Sequence, residues 1–96
     1  MKHAGPATLD HLTPLLDRLR RVPGLAERKP GIFYFRSAAF LHFHEDSTGV
    51  FADVKFDGRT FERVPVRTAA DRAFLIKAVA RAVAVLQESR KTSRIA

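Results

Sequence analysis

The tetrapeptide Asp46-Ser47-Thr48-Gly49 constrains the fold more than any other feature of this chain. It has the make-up of a type I turn with glycine last. Segments rich in β-forming residues, Ala39 to Glu45 and Val50 to Phe56, flank it on both sides. With this turn Glu45 pairs with Val50, and every further pair has residue numbers summing to 95. Successive side chains alternate across a strand, so the register assigns each residue to one of two faces.

One face carries Leu41 opposite Val54 and Phe43 opposite Ala52, extended by Ala39, Phe56, Ile32 and Tyr34. This is the expected core side. The other face sets Phe40, His42 and His44 against Lys55, Asp53 and Phe51, with Phe33 and Phe35 pointing the same way. If the helices cover one side only, this amphipathic face stays in solvent, where apolar surface marks an interaction site.

The other elements follow from local signals. Thr13-Pro14 predicts a helix over 14–22 with Leu15, Leu16 and Leu19 inward, ended by Pro23-Gly24. Leu25 to Pro30 reads as a polar connection. Ile32 to Arg36 reads as the first strand, and Ser37-Ala38 as a tight turn. Asp57-Gly58 predicts a hairpin into a last strand, Thr60 to Val66. Depending on register, Asp53 meets either Glu62 or Arg63 on that strand. Thr68-Ala-Ala-Asp71 resembles a capping box and opens a helix to about Glu88. Its expected apolar stripe is Phe74, Leu75, Ala78, Val79, Ala82 and Leu86.

The expected architecture is therefore α+β, in the order α-β-β-β-β-α. A four-stranded antiparallel meander is packed on one face by an N-terminal helix and a long C-terminal helix. Residues 1–12 read as a flexible leader, 13–88 as a single domain, and 89–96 as a basic flexible tail. A chain of 96 residues suits one core.

The absence of cysteine excludes disulfides and thiolate-ligated zinc. No stretch approaches the roughly 18 apolar residues of a membrane span, so no membrane association and a cytoplasmic location are expected. The net charge of +7 favours anionic partners, nucleic acid among them. Arg18, Arg20, Arg21, Arg28 and Lys29 are the candidate contacts.

His42 and His44 lie on one side of a strand, about 6.5–7 Å apart along it, a spacing that suits two ligands of one divalent metal. Asp53, across from His42, is the candidate third ligand or orienting group. The alternative is a cross-strand polar pair with a structural role. No triad, cysteine nucleophile or glycine-rich phosphate loop is present.

The run Phe40-Leu41-His42-Phe43-His44-Glu45-Asp46, with Gly49 and the strand after it, resembles the small bacterial proteins of the luciferase-domain (luciferase-family) group. The resemblance covers residues 13–66, beginning with the helix and Pro23-Gly24-Leu25, and singles out His42 and His44 without supplying a reaction. The layout, and Leu25 through Val54, is also similar to the YjbR-like (MmcQ) proteins, whose longer C-terminal half has no counterpart here. That second resemblance implies nucleic-acid binding.

Three functions follow as expectations. The leading one is a binding or self-association module, a homodimer or a complex with another protein, that uses the Phe33, Phe35, Phe40, Phe51, His42 and His44 face and needs no cofactor. The second is a metal-dependent enzyme with His42, His44 and Asp53 as ligands. The third is a nucleic-acid-binding protein.

Overall fold

The computed structural model describes residues 2–95, with side chains described for residues 2–89. Its elements run β1 (Lys2–His3), α1 (Pro6–His11), α2 (Thr13–Arg20), β2 (Leu25–Lys29), β3 (Ile32–Phe35), β4 (Ala38–Asp46), β5 (Gly49–Val54), β6 (Glu62–Pro65) and α3 (Ala69–Ile95). The fold is α+β. Strands β2 to β6 form an antiparallel sheet in sequence order, and β1 pairs with β4.

The β4–β5 hairpin has the expected register, from Asp46 opposite Gly49 to Leu41 opposite Val54. Leu41, Phe43, Ala52 and Val54 are buried and share one core with Leu15, Leu16 and Leu19 of α2 and Leu75, Val79 and Val83 of α3. Removing each large apolar side chain from water stabilises the fold by about 1.5–3 kcal/mol, which is what fixes both helices to this face.

Alternation fails at one place. Phe33 pairs with Leu41 and Tyr34 with Ala39, so Phe40 is an extra residue, a β-bulge. Phe40 is 2% exposed within the core, beside the Phe35 ring at 5.9 Å. The bulge lets the consecutive residues Phe40 and Leu41 both reach the core. It costs one ladder pairing, worth about 1 kcal/mol net, against the larger gain of a buried ring. On its other side the strand is undisturbed: the Lys55 N–H donates to the Phe40 carbonyl at 2.9 Å, continuing the β4–β5 register.

The bulge reassigns several residues. Phe33, expected on the second face, is fully buried opposite Leu41. Phe35 is half-buried against the core, with the Arg36 guanidinium 4.4 Å over its ring. Ile32, expected in the core, pairs with His42 on the opposite face. Tyr34 leaves the core face by alternation with Phe33, taking its partner Ala39 with it. Phe74 also departs from expectation, being 59% exposed on α3, with Val83 taking the inward place.

The N-terminal dozen residues, expected as a leader, hold β1 and α1 instead. Pro14 does not interrupt a long helix, because Leu12 separates two short ones. Thr13 does not cap α2; its hydroxyl donates back to the Asp10 carbonyl at 2.8 Å. The segment expected as a polar connection is edge strand β2, whose Glu27, Arg28 and Lys29 suit an unpaired sheet edge.

At α3 the capping box forms as read. The Asp71 N–H donates to the Thr68 hydroxyl, and the Thr68 N–H donates to the Asp71 carboxylate. The helix runs beyond Glu88 to Ile95 through the segment expected as a frayed tail. The side chains of residues 90–96 lie outside the described residues. Among the described residues no helix is long and apolar enough to cross a membrane.

Candidate metal centre

Strand β4 presents His42 and His44 on the face turned away from the helices. Beyond the point where β3 stops pairing, β1 takes its place along β4 and sets His3 opposite His44. Directly paired residues share a face, so a third imidazole joins the two on β4. The backbone continues this pairing, with the Ala4 N–H donating to the Phe43 carbonyl at 3.0 Å. The Gly5 N–H donates to the Glu45 carboxylate at 2.9 Å.

The three rings touch. His3 stacks on His42 with centroids 5.3 Å apart and meets His44 edge-on at 4.6 Å, while His42 and His44 are 4.6 Å apart. One ring nitrogen from each lies within 4.8 Å of the others. Nitrogens about a tetrahedral zinc, at roughly 2.0–2.1 Å from it, stand roughly 3.3 Å apart, so a small inward movement closes the set. His3, exposed on a two-residue strand, is the ring with freedom to make that movement.

His42 is the unusual member. Its Nδ1 is buried and has no hydrogen-bond partner. Burial pushes its pKa below the ordinary imidazole value. The nearby His44 adds to the depression, against the opposing pull of Asp53. A neutral imidazole keeps a nitrogen lone pair, the form that ligates metals.

His44 is held from behind. Its Nδ1 lies 2.8 Å from Asp53 Oδ2. A carboxylate only accepts, so Nδ1 is the donor, and in the neutral form of the ring Nε2 holds the lone pair. Asp53 is itself clasped by Arg63, whose Nε and terminal nitrogen donate to Oδ1 and Oδ2 at 2.8 and 2.9 Å. The Arg63 hydrogen bond is the main cause holding the Asp53 carboxyl below its usual range. The β5–β6 register therefore resolves the two alternatives for Asp53 in favour of Arg63.

The turn after β5 supplies a wall. The Asp57 carboxylate accepts from the N–H groups of Arg59 and Thr60, and Gly58 adopts φ +79°. The chain then brings the Phe61 ring to 4.7 Å from His42, and Lys55 Nζ lies 4.8 Å over the same ring.

Of the residues expected at the site, His42, His44, Asp53, Phe51 and Lys55 share this face, whereas Phe33 and Phe40 are in the core. As a ligand, Asp53 fits poorly, because both oxygens are occupied; it fits as the group that orients His44. Sequence reasoning missed His3 and Phe61. Nothing local to Lys2-His3 announces its pairing with β4, which spans 41 positions between His3 and His44.

Of the expected nucleic-acid contacts, Arg20, Arg28 and Lys29 line one surface depression together with Glu27 and Pro30. Arg20 is bound by Asp17 and Glu27, and Arg28 stacks over Tyr34 at 4.8 Å. In comparisons with known proteins, no family model, no curated protein and no solved structure matches the chain.

Proposed function

We propose that this chain is a divalent-metal-binding domain whose ligands are His3, His42 and His44. One observation carries the reading: a buried, unpartnered ring nitrogen on His42 inside a cluster of three imidazoles. A buried nitrogen without a partner costs about 1–3 kcal/mol, and a metal ion that took His42 Nδ1 as its ligand would offset that cost. The Asp53–His44 contact supports it, since metal-ligating histidines characteristically give their other N–H to a carboxylate.

All-nitrogen donors suit zinc, nickel, copper or iron(II) over magnesium or calcium. Three protein ligands leave a coordination position for water or an added ligand, and a metal there polarises what it binds. The chain's own contribution is orientation: β4 fixes two rings, Asp53 fixes the tautomer of one of them, and β1 delivers the third.

The test is metal content and calorimetric titration with zinc, on protein without a histidine tag. One equivalent is expected, with a large loss of affinity in His42→Ala and His44→Ala. A folded protein that takes up no zinc, nickel, copper or iron(II) refutes the proposal.

A further inference from the structure

We infer that the position left open at this centre takes a small oxyanion, held between the metal and the Lys55 ammonium. The inference rests on the metal-binding reading and adds the class of the exogenous ligand.

The argument is one of charge. The three candidate ligands are histidines, and a neutral imidazole brings no negative charge to a doubly charged ion. Two carboxylates lie on this face of β4 and β5 among the described residues: Asp53, which Arg63 neutralises through both oxygens, and Asp46 at the hairpin turn, which accepts from the Thr48 N–H and hydroxyl. Glu45 and Glu62 pair with Val50 and Val54, which places both on the other face. The carboxylate in contact with the cluster is thus neutralised by Arg63, and Asp46 stands two positions beyond His44 at the turn, outside the group of three imidazoles.

Lys55 adds to the imbalance. It follows Asp53 by two positions on the same side of the chain and makes no ion pair among the described residues. Its ammonium is positioned over Phe61, the ring that packs on His42. An ammonium there can donate to one oxygen of an anion whose other oxygen binds the metal. Phe61, 39% exposed, sets an apolar ring between this ammonium and His42. The chain's charge of +7 draws anions towards the surface as a whole.

The experiment uses cobalt(II) as the probe metal, because its visible absorption reports changes of ligand. Cobalt-loaded full-length protein is titrated separately with acetate and with inorganic phosphate at constant ionic strength. A saturable spectral change is expected, and the anion that produces it at lower concentration identifies carboxylate or phosphate as the preferred class. Lys55→Met should bind cobalt as the parent does while weakening the anion about fivefold, the upper range for an exposed ion pair. Lys55→Arg should restore most of that loss.

Cobalt uptake with a spectrum unmoved by either anion overturns the inference and leaves the metal site standing. An equal response in Lys55→Met overturns the role of Lys55. Failure to take up cobalt removes the metal-binding reading itself, a different result from the other two.

Discussion

His44 and Asp53 are joined by a 2.8 Å hydrogen bond from the imidazole Nδ1, although the strand register places Asp53 opposite His42. The carboxylate thus reaches diagonally across the hairpin, drawn between the His44 ring and the Arg63 guanidinium. The directly opposed histidine is left with no partner for its buried Nδ1. This asymmetry gives the two β4 histidines different chemistry, one oriented by a carboxylate and one desolvated.

Removing the orienting charge should therefore weaken metal binding without removing a ligand. Asp53→Asn is expected to lower zinc affinity about tenfold to a hundredfold, the usual effect of losing such a partner. Competition against a chromogenic chelator measures it. Affinity within twofold of the parent would show that His44 needs no carboxylate to hold its ring.

The same pair predicts how stability depends on pH. Asp53 has a folded pKa below its unfolded value, so its contribution is present above about pH 4 and is lost as pH falls through the folded value. His42 also has a lowered folded pKa. The unfolded chain then binds the extra proton first, and metal-free stability declines as pH drops below about 6.5. Denaturant titrations from pH 8 to 3 should show both declines. His42→Phe should remove the upper one and leave the lower. A parent profile that is flat between pH 7 and 5 would contradict the desolvated state of His42.

The bulge at Phe40 marks the limit of what the sequence could reveal. The Asp46–Gly49 turn fixes the hairpin register because turn chemistry and alternation agree over Leu41 to Val54. Upstream, alternation alone assigns Phe40 and Phe33 to the open face, and the gain from burying two rings overrides it. Edge strand β2 and the N-terminal β1 were hidden for another reason. Their residues are charged or too few, and only pairing with distant strands makes them extended. His42, His44 and Asp53 were legible because they sit inside the well-determined hairpin; His3 was not, because its place depends on β1.

Substitution should separate the core aromatic from the half-buried one. Phe40→Ala is expected to cost about 3–5 kcal/mol, in line with emptying a buried phenylalanine site. Phe35→Ala should cost clearly less, since that ring is partly exposed and covered by Arg36. Chemical denaturation of both variants checks the order. Equal and small losses would mean that Phe40 lies on the surface and that the bulge is absent.

His3 offers the sharpest separation of fold from function. It is exposed, and its strand is fastened by contacts that do not involve its ring: the Ala4–Phe43 and Gly5–Glu45 hydrogen bonds and the packing of Leu9 and Leu12. His3→Ala should therefore leave the melting temperature of the metal-free protein within about 3 °C of the parent. Metal binding behaves differently, because a ligand that binds only the folded state stabilises it by about 2.7 kcal/mol at a hundredfold excess over Kd. For a domain of this size that is a rise of about 10–20 °C in Tm. His3→Ala should lose most of that rise, since two imidazoles on one strand hold a metal far less tightly than three. Thermal melts with and without zinc decide the matter. A variant that keeps the full zinc-dependent rise would show that His3 is no ligand, and that β1 only covers the two histidines of β4.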